Sequence, residues 1–371
     1  MKDFALFSKT STFGGIYALF LVNRLQLLYF IILMPNYLID PYMIWGIIGV
    51  GILSQLNLMV LAKWLSSKFF AKGYQGYVQL LGEKTVRICA VIGLLFIFLK
   101  LTVIILGYVE IVNEFIFPST SSYWFIFVLL LSGGYIATRG MENTIRFGVI
   151  TFFSSIWMLF LFAPFFKPPI AMLYDLYPLI PTESPFNPWK RLLFIWSALG
   201  GAEYLICLAP WLNVKNKMLK HITIANGISV VEYVILFIAS LFFFGSHYLN
   251  KSDFPLVHML RYLQSPIFER VDIIFISVYL LLFSFVSALF LLFFYGAARI
   301  MMGNQKKQTT RMGFSICLLI ILISLFIVNA WIWKDQTKQI FWLDLQIWFG
   351  ALSYFFVPLL LYIAMKRKGR V

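Results

Sequence analysis

The sequence predicts an all-α polytopic membrane protein with about ten transmembrane helices. Three observations carry that expectation. Of the 371 residues, 61% are hydrophobic and only 12% charged, at a mean hydropathy of +0.87. Apolar runs of about 20 residues, the length that crosses hydrocarbon, recur along the chain. Lys and Arg gather in alternate loops, as they do on the cytoplasmic side of a membrane. With both termini inside, inner segments hold 20 of the 30 basic residues and outer loops hold 8, while Arg24 and Lys100 lie within spans. The net charge of +15 is therefore an orientation signal and a contact with anionic lipid, not a nucleic-acid footprint.

Span 1 (14–34) carries Asn23, Arg24 and Gln26 at mid-depth in an otherwise apolar run. No small-residue cleavage site follows it, so it is expected to stay in the membrane. Span 2 (42–65) holds Gly46, Gly49 and Gly51, small residues that let membrane helices approach closely. Span 3 (89–111) has Lys100 at its centre and Glu110 at its outer end, where a carboxylate suits the interface. Spans 4 (123–136) and 5 (145–165) follow across a short basic turn. Half of the 14 prolines then fall between Pro164 and Pro188, a stretch that cannot continue a helix. It divides the spans five and five. An odd number in each half turns the halves over relative to each other, as in an inverted repeat, with span 6 the counterpart of span 1. A single membrane domain is expected: first repeat about 14–165, outer loop about 166–191, second repeat about 192–364 and a basic cytoplasmic tail at 365–371.

Span 6 (192–212) is the most informative. Gly200, Gly201 and Glu203 interrupt it at mid-depth, and a helix in hydrocarbon can give up backbone hydrogen bonds only where protein or a lined cavity receives them. The pattern predicts a midplane binding site, and its counterpart span 1 is expected to be broken too. Span 7 (222–244) contains Glu232, which a shift of one turn would let snorkel to the interface. The loop 247–270 has two short apolar patches, 256–260 and 267–268, spaced like a helix lying on the membrane surface. Span 8 (273–295) offers Ser284 and Ser287 as cavity-lining hydroxyls, and spans 9 (312–333) and 10 (340–364) complete the set.

Four ionisable groups thus sit near the midplane: Arg24, Lys100, Glu203 and Glu232. Left unpaired, each costs about 2.5–3.5 kcal/mol, so mutual neutralisation is expected. A pair between Glu203 and Arg24 would join spans 1 and 6; a pair between Glu203 and Lys100 is the alternative. Either a ligand site or a purely structural ion pair fits these residues. Cys89, Cys207 and Cys317 are far apart, the three histidines sit in separate loops, and no phosphate-binding, nucleophile-elbow or zinc-protease motif occurs. No enzyme activity, metal or cofactor is expected.

Three stretches, in order, resemble the B subunits of bacterial spore germinant receptors. They are Ala137 to Arg146, Gly201-Ala202-Glu203 with Leu208-Ala209-Pro210, and Phe254-Pro255 leading to Phe268 through Ile274. That family of spore germination permeases belongs to the amino acid, polyamine and organocation transporter superfamily. The resemblance implies a LeuT-like fold with broken helices 1 and 6. It implies a nutrient-sensing subunit of the spore inner membrane, termini on the core side, that binds a small germinant (amino acid, sugar or nucleoside) and triggers germination with an A subunit and a lipoprotein C subunit. The ligand would lie between spans 1 and 6, against Asn23, Arg24, Gln26, Leu28, Phe30, Lys100, Gly200, Gly201 and Glu203, with Ser284 and Ser287 nearby. One departure stands out. Superfamily members have glycines about five and seven residues before the proline that here is Pro35, whereas this chain has Phe30 and Leu28. Bulky side chains there shrink the pocket or select a neutral germinant. The alternative reading is an amino-acid secondary transporter coupled to protons or ions through Glu203.

Overall fold

Helices form where the hydropathy places them. The computed structural model describes residues 4–180, 188–213, 217–263, 269–305 and 307–368. Part of the Pro-rich loop (181–187), the 267–268 patch and the tip of the basic tail (369–371) lie outside the described residues. Span 1 is Gly15–Tyr37, span 2 Met43–Leu65, span 3 Glu83–Phe115 and span 4 Ser122–Thr138. Span 5 is Met141–Ile156 continued by the 3-10 helix Trp157–Phe166, and span 6 is Pro188–Ala198 followed by the 3-10 helix Ala202–Leu208. Spans 7 and 8 are Met218–Leu249 and Val271–Met301; span 9 is Arg311–Val328 with the π turn Asn329–Trp333; span 10 is Gln336–Lys368. Nine of these crossings are long and apolar enough to span a bilayer, and span 4, at 17 residues, is the short tenth. Span 3, at 33 residues, is about 50 Å long, well beyond the hydrocarbon thickness, so it projects from the membrane or tilts.

Span 1 is the axial helix. Of its apolar window, 83% is buried inside the protein, against 33% for spans 9 and 10. It packs on spans 7 and 5, whereas span 6 packs on spans 2 and 10, the exchanged partners that an inverted pair of halves produces. Span 8 fills the other side, against spans 3 and 4. Lipid-facing rows such as Ile52, Leu53 and Leu56 on span 2, and Leu319, Ile320 and Ile323 on span 9, remain exposed.

The expected break in span 1 does not occur. Its helix runs without interruption through Asn23, Arg24 and Gln26 to Tyr37. No glycine or proline interrupts its middle third, and the polar side chains reach outward to partners, so the backbone keeps its own hydrogen bonds. The loop 247–270 also differs from expectation. The apolar stripe of helix Pro255–Tyr262 is covered by protein and not left for lipid: Leu256, Val257, Met259 and Leu260 are all buried. Gly51 packs on Val230 of span 7 and Gly46 on Leu192 of span 6, as close-packing glycines should, whereas Gly49 meets nothing.

An arm of residues 4–13 precedes span 1 and crosses the face that carries the 4–5, 6–7 and 8–9 connections. Met141 N–H donates to Leu6 O at 2.9 Å in the turn between spans 4 and 5, where Gly140 takes a positive φ of 88°. Phe13 pairs with the strand-like end of span 6, donating to Trp211 O at 2.7 Å and accepting from Asn213 N–H at 2.8 Å. Glu142 clamps the arm: Ser11 N–H donates to Oε1 at 2.9 Å, the hydroxyls of Thr10 and Ser11 donate to Oε2 at 2.6 and 3.1 Å, and the Thr10 N–H also donates to Oε1. Thr309, between spans 8 and 9, receives the Leu6 N–H at 3.2 Å. Meeting the 4–5, 6–7 and 8–9 connections at one face requires an even number of crossings between each.

Candidate functional site

Span 6 is broken where the sequence places the break. The α-helix ends at Ala198, Gly200 and Gly201 turn, and a 3-10 helix resumes at Ala202. Carbonyls at the C-terminal end of a helix have no partner within it. Here three consecutive ones are taken by side chains from three other spans. Tyr233 of span 7 donates its hydroxyl to Ala198 O at 2.9 Å, Gln26 of span 1 donates Nε2 to Leu199 O at 2.6 Å, and Lys100 of span 3 donates Nζ to Gly200 O at 3.3 Å. The negative end of the helix dipole thus meets the ammonium of Lys100, a favourable arrangement in a low-dielectric interior.

The other side of the break needs an acceptor, and the chain supplies one. Glu203 turns back so that the Gly201 N–H donates to its Oε2 at 2.6 Å. Glu203 is 4% exposed and Lys100 2%, and each feels the other's charge, yet the two do not form an ion pair within 4 Å. The rings of Tyr204 and Tyr29 stand 5.1 and 5.6 Å from Lys100 Nζ. Gly201 lies directly on span 1: a β-carbon there would stand 3.3 Å from Leu25 Cβ and from Gln26 Cγ.

Behind span 1, facing away from the break, runs a second network. Arg24 does not pair with Glu203, as expected of the two interrupted spans; its Nη2 bonds Glu232 Oε1 of span 7 at 2.6 Å, with side-chain exposures of 0% and 2%. Glu232 therefore does not snorkel. Arg24 Nη1 donates to Ser155 Oγ of span 5 at 2.9 Å, and Nε donates to Asn23 Oδ1 at 2.9 Å. Asn23 Nδ2 donates to Glu232 Oε2 at 2.8 Å and to Ser229 Oγ at 2.9 Å; Ser229 Oγ donates to Gln26 Oε1 at 2.6 Å. Gln26 joins the two networks, one amide on Ser229 and Leu199 together.

The structure thus brings Gln26, Lys100, Gly200, Gly201 and Glu203 to one place and assigns Asn23 and Arg24 to the network behind. Leu28 and Phe30 are fully buried, and Phe30 stacks on Tyr233 with centroids 3.8 Å apart and rings 6° from parallel. Ser284 and Ser287 are not brought to the break: they face span 4, Ser284 sharing a hydrogen bond of 3.0 Å with Ser132 and Ser287 lying against Gly133. Residues at the break that the sequence did not single out are Tyr29, whose hydroxyl bonds Gln346 of span 10, Tyr204 and Tyr233. A polar row, Asn226, Ser229, Glu232 and Tyr233 at helical spacing on span 7, was the available signal for the last. Among the described residues, no three His, Cys, Asp or Glu side chains gather to hold a metal ion.

Comparison with known proteins bears on the family and on the fold. The family model described as spore germination protein matches residues 43–339. The spore germination protein GerQB of Bacillus cereus is 26% identical over 273 residues, covering 66% of this chain and 75% of that protein. Among solved structures, a manganese transporter of Eremococcus coleocola, crystallised with an aromatic bis-isothiourea substituted compound, superposes with a TM-score of 0.50. That match covers 95% of this chain and 80% of the transporter at 11% identity, and it establishes a shared fold.

Proposed function

The chain belongs to the spore germination protein family of permease-like membrane proteins, and from that premise we propose that it is the nutrient-sensing membrane subunit of a germinant receptor. In this reading the ligand is a small germinant bound at the span 6 break, and the protein resides in the spore inner membrane with both termini towards the core. An A subunit and a lipoprotein C subunit read its state. The observation that carries the proposal is the set of three side chains, from spans 1, 3 and 7, that hold the carbonyls of Ala198, Leu199 and Gly200. A ligand that competes for any of them changes how span 6 is tied to three other helices, which couples binding to a packing change.

The break also favours one ligand chemistry. The Gly201 amide that could greet an incoming carboxylate already holds Glu203. In this reading the ligand offers hydroxyl or amide groups that bridge Lys100 and Glu203, so a sugar, a nucleoside or an uncharged amino-acid side chain suits the break better than a free carboxylate. Phe30, flat on Tyr233 where superfamily transporters carry glycine, fills space that a carried substrate would need. Support for the transporter reading comes from Glu203 itself, a buried carboxylate that forms no ion pair among the described residues, as a proton carrier would be.

The test is germination of spores carrying Glu203→Gln, scored against a nutrient panel, with the protein level in the inner membrane measured alongside. A lost or shifted nutrient response at normal protein level is expected. An unchanged response at normal level removes the break from sensing. Nutrient-driven uptake into vesicles by the purified chain would replace the sensor reading by the transporter.

A further inference from the structure

The face opposite the arm of residues 4–13 holds a cavity of about 420 Å³, between spans 1, 3, 9 and 10 and the start of helix Pro255–Tyr262. Part of its wall is aliphatic, with Leu106, Val109, Ile340 and Leu343. Charge of both signs lines it as well: Glu110 of span 3, Asp253 before the short helix, and Lys334 after the π turn of span 9. Glu110 is held in place by span 9 and span 10, with Trp333 Nε1 and Gln339 Nε2 donating to its Oε2 at 2.9 and 3.1 Å. Its other oxygen accepts no hydrogen bond from the described residues.

Two polar atoms in the same wall find no partner among the described residues: the Nδ2 donor of Asn329, 3% exposed at the first position of the π turn, and the Oδ1 acceptor of Asn113. A buried amide without a partner is costly and is rare in native proteins. A π turn in a helix is also a frequent mark of a functional position. Asn329 and Lys334 thus bring donors to the cavity, and Asn113, Glu110 and Asp253 bring acceptors.

We propose that this cavity is a second binding site, separate from the span 6 break, for an apolar α-amino acid in its zwitterionic form. The carboxylate goes to Lys334 and Asn329, the ammonium to Glu110, Asp253 and Asn113, and the side chain to the aliphatic wall. The volume lies within the range of small-molecule sites. The site does not depend on the reading of the break.

The test uses isothermal titration of the purified full chain in lipid nanodiscs with three probes: L-leucine, isoamylamine, which lacks the carboxylate, and 4-methylpentanoate, which lacks the ammonium. L-leucine is expected to bind, and each truncated probe to bind at least about tenfold more weakly, the loss of one charge-assisted contact. Asp253 and Lys334 are exposed, so Asp253→Asn and Lys334→Gln leave the fold intact, which an unchanged melting temperature verifies. Asp253→Asn should weaken L-leucine and isoamylamine but not 4-methylpentanoate; Lys334→Gln should weaken L-leucine and 4-methylpentanoate but not isoamylamine. Glu203→Gln should leave all three unchanged. No L-leucine binding up to about 10 mM, weaker than any specific small site of this kind, overturns the proposal. So does binding that ignores both exposed variants, and binding lost in Glu203→Gln alone moves the amino acid to the break.

Discussion

Arg24 and Glu232 form an ion pair with almost no solvent contact, and its worth shows when one partner is removed. Arg24→Ala or Glu232→Ala leaves the other charge buried and unpaired, a loss of about 3–5 kcal/mol. The double variant Arg24→Met with Glu232→Met removes both charges and is expected to be much closer to the parent than the sum of the single losses. Thermal unfolding of the purified chain in detergent measures this; strictly additive losses would show that the two side chains do not act as a pair. Sequence reading found all four midplane charges but not this partnership. Position 24 and position 232 are 208 residues apart, and which carboxylate Arg24 meets depends on the rotation of spans 1, 5, 6 and 7 about their own axes. Hydropathy fixes where a helix lies along the membrane normal and says little about that rotation.

Between helices, the seams are set by glycine. A β-carbon at Gly201 would press on Leu25, Gln26 and the Val22 carbonyl, so Gly201→Val pushes span 6 off span 1 and strains the Gln26 to Leu199 hydrogen bond. The expected cost is about 1–3 kcal/mol, the usual result of overpacking. Gly49→Val, on a helix face where a β-carbon meets nothing within 4 Å, is the matched control and should change the melting temperature little. Equal effects at both positions would mean that the close approach of spans 1 and 6 does not matter. The break in span 6 was legible because Gly-Gly followed by a carboxylate has few other uses inside an apolar run. The continuity of span 1 was not, because Asn23, Arg24 and Gln26 mark polar partners equally well whether the backbone opens or the side chains reach across. The helix Pro255–Tyr262 shows the same ambiguity: an apolar stripe reads alike whether lipid or protein covers it.

Across the whole molecule, the two faces differ. One is crossed by the arm of residues 4–13, and the other holds the 420 Å³ cavity. Ten crossings place Lys72 and Gln336 on opposite sides, so with the native cysteines replaced, Lys72→Cys and Gln336→Cys should react with a membrane-impermeant maleimide from opposite sides of oriented vesicles. Labelling from the same side would break the ten-span count. Glu142→Ala removes the carboxylate that accepts from Thr10 and Ser11 and should raise hydrogen exchange across residues 4–13, with little change in the spans themselves. The arm can also be regarded as an intramolecular ligand. A tether this short holds it at its own binding groove at an effective concentration in the mM range. A synthetic peptide of residues 4–13 added from outside is therefore a poor competitor below that range. Any partner that opens this face gains more by disturbing Glu142 than by imitating the arm.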